Sequence, residues 1–200
     1  MDADENVYVT GQTTSTNFPT EKPFQASIRG VSDVFLTKIN SQGTALIYST
    51  YLGGQFGESA RGLAVNALGE AYIAGTTNST DFPVFNSLQP YNKGVTDIPY
   101  NDAFVTRFKA DGSGLLYSTF LGGAEHDQAF DIAVDANGKA YVVGETFSTQ
   151  YFPTKNRYQG CGVFFPQTLN SIDAFLTVFN AAGSDITYST CIGGKVTTDA

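Results

Sequence analysis

The phrase Tyr-Ser-Thr-x-(Leu/Ile)-Gly-Gly occurs three times, at residues 48–54, 117–123 and 188–194, with spacings of 69 and 71 residues. A period of this length, with its motifs in fixed order, points to a repeat architecture in which each unit buries its apolar face on its neighbours. Ahead of each copy stands Asp-(Val/Ala)-Phe-(Leu/Val)-Thr, beginning at Asp33, Asp102 and Asp173. A Gly-bearing turn separates the two phrases, at Gly43, Gly112 and Gly183. Residues 63–69 are answered by 132–138, and each runs on into Ala-Tyr-(Ile/Val)-x-Gly, ending at Gly75 and Gly144. Residues 1–11 carry the same phrase, which aligns Met1 with Val65 and Val134, positions inside a strand.

The unit reads as four strands: the Leu-Ala-Val segment, Ala-Tyr-Ile-Ala-Gly, Ala-Phe-Val-Thr-Arg-Phe, and Leu-Leu-Tyr-Ser-Thr-Phe-Leu. Each alternates over four to eight residues and is bounded by turn residues. Asn137-Gly138 reads as a two-residue hairpin in which both positions take positive φ. The composition agrees, with 21 Gly, 16 Phe and 11 Tyr, the aromatics suiting pleated strands and glycine marking turns. Four antiparallel strands per repeat, recurring radially, make an all-β β-propeller segment. The predicted blades are 1–54, whose strand one is mostly missing, 55–123 and 124–194, with 195–200 starting the loop to a next blade. Three blades do not close a ring, since propellers use about four to eight. The chain is therefore expected to be part of a longer one, or to assemble with neighbouring copies.

These motifs, together with Ser-Thr-x-Phe-Pro, closely resemble the prokaryotic seven-bladed β-propeller repeat (SBBP) family along nearly the whole chain. The strand-pair phrase is also similar to NHL-type blades. The resemblance implies a large secreted or cell-surface protein. Two departures stand out: Cys191 replaces the aromatic found at Tyr51 and Phe120, and the loops before Asp102 and Asp173 are long.

Eleven Lys and Arg against 19 Asp and Glu give a net charge of −8, and no basic stripe forms, so nucleic acid is not an expected partner. No segment approaches the ~20 apolar residues of a membrane span, and the acidic opening Met1-Asp2-Ala3-Asp4-Glu5 is no signal peptide.

The loop between strands two and three opens each time with a Ser/Thr-rich run ending in Phe-Pro, at Phe18, Phe82 and Phe152. Six residues on comes an apolar residue followed by Gln: Phe24-Gln25, Leu88-Gln89 and Tyr158-Gln159. The expectation is that the Phe and the apolar residue tuck the loop onto its blade while Gln bonds to backbone. Phe85, Tyr91, Tyr100, Tyr158, Phe164 and Phe165 are candidate contacts for a ligand, a partner or a neighbouring blade. Asp33, Asp102 and Asp173 suit turn capping, with calcium ligation the less common use. Asp2, Asp4 and Asn6 look superficially like a calcium loop, but the equivalent stretches lack that pattern, so a hairpin turn is expected. His126, the only histidine, reads as a solvated loop residue; it has no nucleophile motif to serve. One His and two Cys make no zinc set.

Cys161 and Cys191 sit on neighbouring stretches of one blade and are candidates for a disulfide, worth roughly 3 kcal/mol or somewhat more in the chain-entropy model. Asn78-Ser79-Thr80 is a glycosylation sequon. No cofactor, catalytic or metal-binding residue is assigned. The expected role is a non-enzymatic extracellular or cell-surface structural or interaction module. The alternatives are a lectin-like module binding glycan or another ligand, and a fragment of an enzyme whose site lies on other blades.

Overall fold

The turns show how the repeat starts each sheet. Asp2, Asn66 and Asp135 each use Oδ1 to accept two backbone N–H groups, two and four residues ahead. This side-chain cap closes the first hairpin of every unit. Gly69 and Gly138 take φ of 77° and 78°, and Gly138 N–H donates to Asp135 O at 3.0 Å. Asn137 does not share the left-handed conformation. The turn is thus a type I turn followed by a left-handed glycine, not the doubly left-handed turn expected from Asn-Gly. The side-chain cap supplies the bonds that hold this longer turn.

In the computed structural model, residues 1–93, 101–162 and 172–194 are described. Eleven strands and no helix are found among them. β1 (Val7–Thr13), β2 (Asp33–Ile39) and β3 (Leu46–Leu52) form a three-stranded sheet. β4 (Glu58–Val65), β5 (Ala71–Thr77), β6 (Asp102–Phe108) and β7 (Leu115–Leu121) form a four-stranded one. β8 (Asp127–Val134), β9 (Ala140–Thr146), β10 (Asp173–Phe179) and β11 (Ile186–Ile192) form a second sheet of four. Every pairing is antiparallel and joins strands consecutive in sequence. These are three propeller blades with no ring closed among the described residues.

The core lies between the blades. One cluster joins Val34, Leu36 and Leu52 of the first blade to Ile73, Phe104 and Phe108 of the second. The other joins Ala103, Val105 and Leu121 of the second to Val142, Phe175 and Phe179 of the third. Neighbours along β6 therefore serve opposite interfaces. The middle blade is covered on both sides, and all seven residues of β5 are buried. In β9, the equivalent strand of the third blade, Tyr141 and Val143 are exposed between buried neighbours. One face of that blade has nothing packed on it among the described residues.

Repeated motif residues hold one blade to the next. Tyr8 O–H lies 2.9 Å from Gly69 O and shares its one proton between that carbonyl and Asp2 Oδ2, and Tyr72 O–H donates to Gly138 O at 3.4 Å. Lys38 lies 5.0 Å from the Tyr8 ring centre and Arg107 lies 5.0 Å from that of Tyr72. Within each blade a buried hydroxyl pair, Thr37–Ser49, Thr106–Ser118 and Thr177–Ser189, stands at 2.8 Å. Since Ser49 and Ser118 donate to Pro19 O and Pro83 O, Thr37 and Thr106 donate to those serines. These bonds account for the Thr of one phrase and the Ser of the other.

Candidate functional site: carboxylates and grooves at the blade interfaces

The start of each strand one lies beside the start of strand three in the preceding blade. Glu58 N–H donates to Ser32 O at 2.9 Å, and Asp127 N–H to Asn101 O at 2.7 Å. The contact sets the Glu58 side chain beside Asp33 and that of Asp127 beside Asp102, all four fully or almost fully buried. The Gly-Gly ending each Tyr-Ser-Thr phrase makes room for them. A Cβ on Gly53 would stand 2.5 Å from Asp33 Cγ and also collide with Glu58 Oε2. One on Gly122 would stand 2.6 Å from Asp102 Cγ.

The two pairs are solvated differently by the protein. At the first interface every carboxylate oxygen has a donor. Asp33 accepts from Gln25 Nε2 at 2.7 Å and from the Arg29 and Gly30 N–H groups. Glu58 accepts from Thr77 and Ser79 hydroxyls and from Gly54 N–H. Burial still pushes the Glu58 carboxyl up, and the Asp33 charge adds to it.

At the second interface Asp102 Oδ2 accepts long bonds from Gln89 Nε2 at 3.3 Å and Lys93 N–H at 3.4 Å. Asp127 Oδ2 accepts from Gly123 N–H at 2.7 Å and Ser148 O–H at 2.9 Å. Asp102 Oδ1 is buried without a partner, and Asp127 Oδ1 has no bond of normal length, although the Thr146 hydroxyl faces Asp127 and favours its charged form. Burial pushes Asp102 up to about 8, the Asp127 charge contributing next. Burial likewise pushes Asp127 up to about 6. In the third blade Asp173 Oδ2 accepts from Gly162 N–H at 2.7 Å.

The repeated Gln therefore does more than bond to backbone, since Gln25 and Gln89 donate to the carboxylates as well. Glu58 and Asp127 were missed by the sequence reading. The available signal was an acid four residues after each of the first two Gly-Gly pairs.

The Phe-Pro phenylalanines behave as expected. Phe18, Phe82 and Phe152 pack on Phe35, Phe104 and Phe175, with ring centres 4.6, 4.6 and 4.9 Å apart. The following apolar residue does not stay on its own blade. Phe24 meets Phe108 of the next blade edge-to-face at 5.9 Å, and Leu88 packs on the cluster between the second and third blades. Tyr158, in the third blade, is 85% exposed.

These residues line a groove that recurs at successive interfaces. The first, about 260 Å³, is lined by Phe24, Pro83, Val84, Phe85, Lys109 and Leu115. The second, about 410 Å³, includes Leu88, Tyr91, Lys93, Pro153, Lys155 and Asp185. Lys155 stands where Phe85 stands and is salt-bridged to Asp185 at 2.7 Å, so the second groove is the polar counterpart of the first. Of the candidate contact residues, Phe85 and Tyr91 reach grooves, whereas Tyr100, Phe164 and Phe165 lie outside the described residues.

Cys161 and Cys191 form a disulfide, with Cα atoms 5.0 Å apart. Cys191 occupies the corner that Tyr51 and Phe120 fill against Phe18 and Phe82 in the other blades. His126 is not a solvated loop residue. It is half-buried, its Nδ1 accepts Asn101 N–H at 3.1 Å, and its ring meets Phe147 edge-on. The connection it sits in is pinned between two blades. Asp2 is engaged by Asn6, Tyr8 and Lys38, as the hairpin reading requires. Asn78 is half-buried on a cleft where all three sheets converge, beside Gln12, Arg61 and Gln128.

Residues 47–83 match the SBBP beta-propeller repeat family. This stretch runs from strand four of the first blade to the Phe82-Pro83 anchor of the second. The chain carries the SBBP repeat. In structural terms the match covers one outer strand, the Gly-Gly carboxylate seat and the following hairpin. The regulatory protein FlaEY of Caulobacter vibrioides is 32% identical over 148 residues, which is 74% of this chain and 14% of that protein. The chain thus spans about one seventh of the length of that relative.

Proposed function

We propose that this chain is a non-enzymatic structural and interaction module of a secreted or cell-surface propeller, completed by further blades of a longer chain or by neighbouring copies. The observation that carries the reading is the open face of the third blade. Ile192 is 58% exposed, whereas Leu52 and Leu121 at the same repeat position are fully buried. Tyr141 and Val143 are exposed where Tyr72 and Ala74 are fully buried. Apolar surface of this kind, continuous with a repeated interface, suits another blade.

The non-enzymatic part rests on burial: the interface carboxylates are shut away from solvent and held by glycine and hydroxyl contacts. The disulfide supports an oxidising compartment. The recurring groove supports a second role, capture of a protein or glycan partner, with Tyr91, Lys93 and Lys155 offering stacking and hydrogen bonding.

Sedimentation of the 200-residue chain over a range of concentrations tests the first reading. Reversible association is expected, and Ile192→Asp is expected to weaken it while leaving the far-ultraviolet spectrum unchanged. A strict monomer that binds no apolar dye would count against the reading.

A further inference from the structure

We infer that the cleft where the three blades converge binds an acidic sugar, with Arg61 taking the carboxylate and side-chain amides taking the hydroxyls. The cleft holds about 270 Å³ and is lined by Gln12 of the first blade, by Arg61, Thr76, Asn78 and Asn101 of the second, and by Gln128 of the third. It shares no lining residue with the two apolar grooves.

The blade architecture does not account for these residues. Those that build each blade recur at one spacing, whereas the cleft positions change from unit to unit. In the third blade Phe130 stands where Arg61 stands, Phe147 where Asn78 stands, and Ile172 where Asn101 stands. Gln12, Thr76 and Glu145 occupy one repeat position with three residue types. The same place on the next blade is apolar, so the polar set belongs to one location and not to the repeat.

Arg61 is presented by a β-bulge. Ala60 pairs with Gly75 and Gly62 with Ala74, which leaves Arg61 out of the ladder and exposed. Phe130 occupies the same bulge in β8, between Ala129 and Asp131. Its ring centre lies 5.5 Å from Arg61 Cζ, covering one face of the guanidinium and leaving the N–H edge for a planar acceptor. Among the described residues no salt bridge includes Arg61, in a chain whose acids outnumber its bases by 19 to 11. Glu58, the acid on the cleft wall, has both carboxylate oxygens engaged by Gly54 N–H and the Thr77 and Ser79 hydroxyls. It does not compete for the arginine.

The remaining groups set the rest of the ligand. A carboxamide both donates and accepts, as a sugar hydroxyl does, and four of them line the cleft. Gln12 is held in place by its bond to Ser32 Oγ at 2.6 Å. Thr76 is an independent sign of a ligand. It is 8% exposed, lines the cleft, and has a hydroxyl with no hydrogen-bond partner in the protein. Alternation along β5 turns it to the side of Tyr72 and Ala74, toward the third blade and Gln128. An unpaired buried hydroxyl carries a cost that a ligand oxygen relieves. The volume lies at the small end for ligand pockets, which suits one sugar ring and not a peptide.

The test is titration of the isotope-labelled chain with sodium glucuronate at matched ionic strength, read from the side-chain amide signals of Asn78, Asn101 and Gln128. Saturable shifts of these signals are expected. Glucose, which lacks the carboxylate, and acetate, which lacks the hydroxyls, are each expected to bind at least about tenfold more weakly. Arg61→Gln is expected to lose about tenfold in glucuronate affinity. Its backbone spectrum away from the cleft should stay unchanged, because the side chain it replaces is exposed. Lys93→Gln, in the second groove, is expected to keep full affinity. Absence of saturable shifts with glucuronate in the unsubstituted chain would overturn the inference. So would unchanged affinity in Arg61→Gln, or glucose or acetate binding as tightly as glucuronate.

Discussion

The ring of Tyr117 lies against Gly183 of the next blade, so closely that a Cβ at Gly183 would stand 2.5 Å from Tyr117 Cδ1. Gly183 also takes φ of +69°, so both backbone conformation and interface contact call for glycine there. Gly43 has the same conformation, φ +71°, but nothing within 4 Å of its would-be Cβ. Gly43→Ala is therefore expected to cost about 1–2 kcal/mol, the left-handed penalty alone. Gly183→Ala should cost more by about 1–3 kcal/mol of overpacking. Urea denaturation of the two variants measures the difference, and equal costs would remove the contact from the explanation.

The hydroxyl of Tyr117 is buried without a hydrogen-bond partner, although its ring is central to the core. Tyr117→Phe keeps the ring and removes the unpartnered group. A gain of about 1 kcal/mol in chemical denaturation is expected, within the cost of leaving such a group unsatisfied. A loss would mean that the hydroxyl is hydrogen-bonded in solution.

Glu5 occupies the turn position that Gly69 and Gly138 fill in the other blades, and it takes φ of 62°. Glu5→Gly relieves a left-handed residue and is expected to stabilise the chain by about 1 kcal/mol. Thermal unfolding tests it, and an unchanged or lower melting temperature would contradict the strain.

Asp102 and Asp127 are raised from an ordinary value of 3.8 to about 8 and about 6. The folded state therefore favours their protonated forms. Their contribution to stability is complete below the unfolded value, near pH 4, and is lost as pH rises through 6 to 8. Stability should fall across this window, by an amount on the order of a few kcal/mol. Asp102→Asn should flatten the dependence. A curve that rises between pH 6 and 8 in the unsubstituted chain would contradict it.

The Cys161–Cys191 bridge spans a sequence separation of 30. Replacing both cysteines with serine is expected to cost about 3 kcal/mol through the entropy of the opened loop. Denaturation of the double variant against the oxidised protein measures this, and no change would mean that the loop stays closed without the bridge.

Strand order and blade identity were legible in the sequence because each motif residue repeats a contact. The Phe of Phe-Pro, the Thr–Ser hydroxyl pair and the glycine turns recur at one spacing, so their roles could be read together. Interface partners were harder to see. Glu58 and Asp127 differ in residue type and lie on the following blade, so the pairing with Asp33 and Asp102 appears only once sheets are stacked. Phe24 and Leu88 show the same limit, their apolar character being evident but not that they cross to the next blade. The hairpin at Asn137-Gly138 was misread because the Asp135 side chain, rather than the dipeptide, sets the turn.

The central claim is that the third blade presents a standard blade interface awaiting its neighbour. An experimental structure of the intact natural protein tests this most directly. Tyr141 O–H should donate to a turn carbonyl of another blade, as Tyr8 does to Gly69 and Tyr72 to Gly138, with Ile192 and Val143 buried beneath it. Tyr141, Val143 and Ile192 left in solvent in that structure would contradict the claim.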